Sequence, residues 1–371
     1  MNAHKSIVHV MHYGNPHAGS IVPLMCALGR GLSQRGHRFA LVSTVAPGAT
    51  WVKDVRKSGI ELHLVNDIND AARKVRELRP DIAHCHFDTQ VETTLALALT
   101  PAKVVWHLHT PRPNYRQRRF LAYVKNLIKY RVIGLRVDWF LAVSRYIATE
   151  LEYWGVPTNK LRVLYLAIDT KWFRPPTVEE RAEARRVHGI GDDERAVLFF
   201  GRDRDHKGGD FLEKALARTA GLTVIAVSTD ARTVDGLRAS RNRIIAIPPF
   251  KDMRELYWAS DRLIMPSRRE GLGFTLLEGL SCGLPSLANR IPVFAEIGPE
   301  LPGLVTVDAN NPHEFACRLA ETNQIRFPIQ NSLMAERWGF DTFINSCEAL
   351  YEEISHPRKV RTRATAAASR L

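Results

Sequence analysis

Short runs of β-branched and aliphatic residues alternate along the chain with longer stretches in which apolar positions recur every three or four residues. "SIVHVMHY" (6–13) reads as a strand, and Gly14 and Gly19 then open a loop. "SIVPLMCALGRGLSQRG" (20–36) has helical spacing and stops at Gly36. "HRFALVST" (37–44) is the next strand. "DAARKVRELRP" is a helix that ends before Pro80, and "DIAHCHF", "KVVWHLHT" and "DWFLAVS" are further strands. Strands separated by helical stretches imply βαβ units and a parallel sheet.

The pattern restarts after "DTKWFRPPTVEE", where Pro175 and Pro176 mark a linker. "AVLFFG", "LTVIAVST", "NRIIAIPPF", "DRLIMPS" and "LPSLANR" are strands. "KGGDFLEKALART", "MRELYWAS" and "GFTLLEGLSCG" are the helices among them. The expected organisation is α/β, with two Rossmann-like doubly wound parallel-sheet domains facing across a cleft. Residues 1–170 form the first and 171–339 the second. A helix at 340–355 is expected to pack back on the first domain, and the basic tail 356–371 is expected to be disordered. Ligands of such sheets bind beyond the carboxyl ends of the strands, so function is sought in the loops that follow them.

Composition adds limits. The chain has 371 residues, 45% of them hydrophobic, enough for two buried cores. No apolar run approaches the ~20 residues that span a bilayer. The N-terminus runs straight into a strand, without the apolar stretch of a signal peptide. Five scattered cysteines without a C-x-x-C pair suit a reducing, cytoplasmic setting and argue against a zinc site. The net charge is +13, and residues 1–170 hold 23 Lys and Arg against 12 Asp and Glu. That field attracts phosphorylated substrates, anionic lipid or nucleic acid.

Four loops carry the chemistry. "FFGRDRDHKGG" resembles the G-R-x-x-x-x-K-G stretch of glycosyltransferase family 4. "SRREGLGFTLLEGLSCGLP" is similar to that family's E-x7-E motif, with Glu270 and Glu278 as its acids. "FLAVSRYIATELEYWGVPTNKLRVLYLAIDTKWFRP" resembles its serine-led helix and linker, and "DIAHCHF" and "VVWHLHT" its two histidine-bearing strands. The resemblance runs from about residue 7 to 355. It implies a GT-B fold, a nucleotide-diphosphate sugar donor and transfer with retention of anomeric configuration. It also implies no metal and no cofactor, the donor being a co-substrate. Three departures stand out. Leu166 and Ala167 replace the linker's Asn-Gly, Leu272 takes an aromatic position, and the N-terminal loop "NPHAGS" offers only Gly19 where paired glycines are usual.

Each site residue has its own physical reading. Glycosyl transfer expels a diphosphate whose negative charge must be met as it develops. Arg202 and Lys207, in the loop after Gly201, supply cations. Gly271 and Gly273 let backbone approach a ligand, and a helix starting near Gly273 aims free amides at it. Leu272, Phe274 and Thr275 complete that donor-binding segment. Glu270 is expected to accept from sugar hydroxyls and Glu278 from the ribose diol. Gly19 opens the facing loop. Among family members a histidine at the place of His109 contacts the donor sugar, and His107 is expected on the opposite side of that strand. His84 and His86 read as structural. Asp88 is a lesser candidate for acting on an acceptor hydroxyl. "DRD" at 203–205 mimics a metal-binding D-x-D but sits in the phosphate loop, where it reads as a charged turn.

Residues 112–136 carry eight cations and no anion, with Phe120, Leu121, Val124, Leu127, Ile128 and Val132 at helical spacing. Such a helix suits an anionic membrane surface, or a domain core with a solvated basic face. The expected protein is thus a metal-independent glycosyltransferase, cytoplasmic and in one reading peripheral on the inner membrane face. Its acceptor would be a glycan, a lipid-linked sugar or a small molecule. A sugar-nucleotide epimerase of the same architecture is the alternative. Nucleic-acid binding is disfavoured, because the cations lack interleaved aromatics.

Overall fold

The computed structural model describes residues 4–110, 119–201, 203–249, 252–322 and 331–355. Arg202, the first part of the basic segment and the tail 356–371 lie outside the described residues. Seven strands form the first sheet: β1 (Ser6–Met11), β2 (Arg38–Thr44), β3 (Glu61–Val65), β4 (Ile82–His86), β5 (Lys103–Leu108), β6 (Trp139–Ala142) and β7 (Leu161–Val163). Their spatial order is 3-2-1-4-5-6-7. Six form the second: β8 (Arg195–Phe200), β9 (Leu222–Val227), β10 (Arg243–Ile247), β11 (Arg262–Met265), β12 (Ser286–Asn289) and β13 (Leu304–Val307), in the order 10-9-8-11-12-13. Every pairing within both sheets is parallel.

The central strands β1, β4, β8 and β9 are almost wholly buried because helices cover both faces, and β8 and β9 are near-continuous apolar runs. Strand order reverses between β1 and β4 in one sheet and between β8 and β11 in the other. At such a point neighbouring helices leave on opposite faces and a crevice opens at the carboxyl ends. The loops after β1, β5, β8 and β11, which carry Gly19, His109, Gly201, Lys207 and Glu270, therefore cluster at these crevices.

β3, β7 and β13 were not expected from the sequence pattern. All three are sheet edges. β3 has no fully buried position and β7 has only three residues, so neither shows a strong apolar run.

The helix Phe340–Ser355 packs on the helix Ile21–Gln34. Phe343, Ile344 and Cys347 are buried, and Arg35 donates to Glu348 (2.5 Å) and Asn345 (2.5 Å). Among the described residues no helix is long and apolar enough to cross a membrane.

Candidate active site

The two halves meet where those loops end. Gly271, after β11, lies so close to the His109 carbonyl, after β5, that a Cβ added there would sit 1.8 Å from that oxygen. Below it, Ser20 Oγ donates to Glu278 Oε1 across the interface. Glu296 accepts from the Arg145 amide (2.8 Å), the Tyr146 amide (2.9 Å) and the Tyr165 hydroxyl (2.7 Å), tying the start of the helix Arg145–Tyr153 to the second half. The halves are thus joined by a close backbone approach and by two carboxylates, Glu278 and Glu296, that accept hydrogen bonds from the first half.

The loop after β8 is braced from both sides. Gly201 is buried, donates to the Val227 carbonyl (3.0 Å) and accepts from Ser228 Oγ (2.7 Å). Asp203 caps the short helix Arg204–Lys207 by accepting from the His206 amide, so it acts as a turn acid. Gly208 is left-handed (φ 70°), and a Cβ there would meet the Pro266 carbonyl at 2.0 Å. This explains the glycine after Lys207: only a bare Cα lets the loops after β8 and β11 touch. His206 Nε2 lies 2.7 Å from the Arg269 carbonyl, and Arg268 makes a two-pronged bond to Asp210 (2.9 and 2.6 Å). Held this way, Lys207 Nζ donates to Glu270 Oε1 at 2.7 Å. The two predicted site residues pair with each other, with side-chain exposures of 25% and 11%.

Gly273 (φ 95°) precedes the helix Phe274–Ser281 and offers no side-chain cap. The helix has no acid in its first turn, so its leading amides and positive dipole end are unanswered by a local carboxylate. Leu272 is buried, while Phe274 and Thr275 are partly exposed. Glu278 is not a surface residue: it is buried, with Tyr257 OH donating to Oε2 at 2.8 Å and Ser20 on the other oxygen. Gly19 (φ 51°) stands just before that serine, and a Cβ on it would meet Tyr13 Oη at 2.9 Å.

Burial raises the Glu278 carboxyl above its ordinary range, opposed by the bonds from Ser20 and Tyr257. A raised carboxyl means the folded state holds the proton more tightly than the unfolded chain. Stability therefore falls as pH rises from the ordinary glutamate value through the folded one. Glu278→Gln is expected to remove that decline, so the melting temperature of wild type should drop relative to the variant across this window. Parallel curves in a pH series of thermal melts would refute it.

His109 directly follows the strand that carries His107, and the structure corrects the expectation for this pair. Residues two apart on a strand share a face. The rings of His107 and His109 lie 4.6 Å apart, and those of His84 and His86 stack at 4.5 Å. With His9 from β1 they form a cluster of five imidazoles. His109 Nε2 pairs with His86 Nδ1 (2.8 Å), and His86 Nε2 with His9 Nδ1 (2.9 Å). His9 Nε2 meets Tyr351 OH (2.8 Å), which also meets His84 Nδ1 (2.6 Å). His84 Nε2 lies 3.2 Å from His107 Nδ1. Burial lowers all five pKa values, to about 3 for His9 and His107 and well below the ordinary value for the others; neighbouring imidazoles add to it except at His107, where the Leu164 main chain opposes it. The rings are neutral at pH 7. Phe87, in an uncommon left-handed conformation (φ 54°), stacks on His109 at 4.6 Å. Asp88, beside it, is exposed.

Ser20, Tyr257, Glu296 and Tyr351 were not singled out from the sequence. Ser20 had a signal, a hydroxyl residue directly before a helix that follows β1. The others act through contacts between distant segments, and no local pattern marks them.

Two facing Rossmann-like sheets with their site at the shared carboxyl ends define the GT-B class. Residues 24–172 match the family model "Glycosyltransferase Family 4", and residues 194–322 match "Glycosyl transferases group 1". Both models describe glycosyltransferases, and between them they cover most of the chain. The chain is 29% identical over 206 residues to the lipopolysaccharide core biosynthesis mannosyltransferase LpsB of Rhizobium meliloti, covering 51% of this chain and 55% of that protein. It is 29% identical over 213 residues to a D-inositol 3-phosphate glycosyltransferase of Acidothermus cellulolyticus, covering 50% and 47%. The chain thus spans about half the length of the curated relatives it matches. Two solved structures share the fold. Anabaena Alr3699/HepE in complex with UDP and glucose has a TM-score of 0.76 at 15% identity, covering 94% of this chain and all of that one. A glycosyltransferase of Rickettsia africae has 0.75 at 19%, covering 95% and 99%. At these identities the likeness speaks for the fold alone.

Proposed function

We propose that the protein is a retaining glycosyltransferase that moves a sugar from a nucleoside-diphosphate donor to an acceptor hydroxyl, without need of a divalent cation. The observation that carries this is the Lys207–Glu270 pair standing beside the uncapped start of the helix Phe274–Ser281, opposite His109. In the free protein each charge satisfies the other. A bound diphosphate competes for Lys207 and the helix amides, which releases Glu270 to accept from sugar hydroxyls. Arg202 adds a second cation by its place in the sequence. Glu278 sits one helical turn deeper than the amides, the right order for nucleoside after phosphate. Retention follows from the E-x7-E resemblance, with the leaving phosphate taking the acceptor's proton on the face it departs from. A thermal-shift series with UDP-, GDP-, ADP- and TDP-sugars tests the reading, since a ligand of the folded state raises the melting point. One donor is expected to stand out; no shift with any of them at millimolar concentration would defeat the proposal.

A membrane surface is the second partner we infer. Tyr123, Ile128, Val132 and Leu135 are exposed, and Leu95 (59%) and Leu99 (98%) join them from a neighbouring segment. The link is Arg136, which donates to the carbonyls of Leu97 (3.2 Å) and Thr100 (3.0 Å). Lys125 and Arg131 are exposed among these side chains. Apolar residues among cations match an interface of anionic headgroups over acyl chains, each cation adding about 1 kcal/mol. Co-sedimentation is expected to rise with the anionic lipid fraction and to fall with salt. Equal recovery on neutral vesicles would remove the inference.

A further inference from the structure

We propose that His86, His107 and His109 form a binding site for a borderline divalent transition-metal cation of the Zn2+ kind, set in the wall of the cleft. One nitrogen from each of the three rings lies within 4.8 Å of the other two. The geometry comes from the sheet. His86 ends β4 and pairs in register with His107 on β5. His109 follows two residues later on the same face, so a His-x-His pair on one strand faces a third histidine on the next. Three imidazoles with one open position are a donor set that suits zinc and its neighbours.

The hydrogen bonds around the triad leave it the lone pairs it needs. Tyr351 OH is shared by His9 Nε2 and His84 Nδ1. If both rings donate to that oxygen, His86 Nε2 donates to His9 Nδ1, and His107 Nδ1 donates to His84 Nε2. Every proton in the chain then points away from the cleft. His86 Nδ1 and His107 Nε2 are left as acceptors. His107 Nε2 is buried and meets no partner at full hydrogen-bond geometry, with the Leu164 main chain as a polar neighbour of the ring. His86 and His107 are each steadied through their second nitrogen, the support that metal-bound imidazoles usually have.

A second triad, His9, His84 and His86, is equally compact. All three rings are buried and engaged with one another or with Tyr351, so it has no entry route. His109 is partly exposed, which gives the outer triad its route. Loading the outer site replaces the His86–His109 hydrogen bond. Their nitrogens, now 2.8 Å apart, must open to about 3.3 Å for metal–nitrogen bonds of about 2.05 Å. The proton on His109 Nε2 moves to its Nδ1, so no net charge leaves the ring.

The test needs neither donor nor acceptor, so it stands apart from the transferase reading. The metal-stripped full chain is titrated with Zn2+ by calorimetry and with Co2+ by visible absorption. One saturable equivalent is expected, with the absorption bands of low-coordinate cobalt. His86→Gln, His107→Gln and His109→Gln should each weaken binding by at least about tenfold, with far-UV circular dichroism confirming that each variant folds. If His86→Gln or His107→Gln unfolds, His109→Gln at the exposed edge carries the test alone. The proposal is overturned by the absence of saturable binding or by binding that His109→Gln leaves unchanged. In the latter case the cation sits in the inner triad or on surface histidines such as His313.

Discussion

Lys207→Ala is expected to lower transfer by about 100- to 1,000-fold, equivalent to about 2.7–4 kcal/mol of transition-state stabilisation, and to abolish the donor-induced thermal shift. The size follows from position. Lys207 ends a short helix pinned between Asp203, His206 and Gly208, so its charge is aimed before any ligand arrives. Preorganised charge of this kind acts on the leaving diphosphate without reorganisation. The substitution also strands Glu270, which is mostly buried and loses its cation. Glu270→Gln and the double variant separate the effects: stability lost with the pair should return in the double variant, while transfer should not. Lys207→Arg is expected to keep part of the activity, with a fork of donors in place of a point charge. Full turnover in Lys207→Ala would end the phosphate assignment.

Gly271→Ala is expected to cost at least about 100-fold in transfer through geometry alone, since ~1 Å of misplacement in a site has that scale. One methyl group would stand 1.8 Å from the His109 carbonyl and 3.3 Å from Val143 Cγ2. Neither the strand end nor the loop after β11 can absorb that locally, so the halves must part. His109 then withdraws from the segment Gly271–Thr275, and the Ser20–Glu278 hydrogen bond is strained with it. Gly14→Ala is the control, because a Cβ there meets nothing within 4 Å. Wild-type turnover in Gly271→Ala would mean that the working enzyme holds its halves further apart than this structure does.

Much of this was written in local pattern. The two sheets were legible because buried parallel strands are apolar runs between helices, and the restart at Pro175 and Pro176 separates the two series. The loops bearing Lys207, Glu270 and Gly273 were legible because glycines and charges between a strand and a helix have few structural uses. The edge strands β3, β7 and β13 escaped because they are short or only partly buried, whereas the edge strand β10 was legible through its Ile-Ile-Ala-Ile run. The histidines were misplaced by a slip in strand geometry: positions two apart share a face, so "HCH" and "HLH" put four rings on one side of the sheet.

By itself, then, the sequence determined which segments fold into strands and helices, and which loops carry cations, acids and bare backbone. Those properties depend on neighbours a few residues away. Only the tertiary structure decided that Lys207 rests on Glu270, that Ser20 from one half holds Glu278 in the other, and that two of five clustered imidazoles share Tyr351 from the far end of the chain. Such contacts join residues tens to hundreds of positions apart. They exist only once two sheets and a returning helix have packed, and packing geometry leaves no periodic trace in the order of the residues.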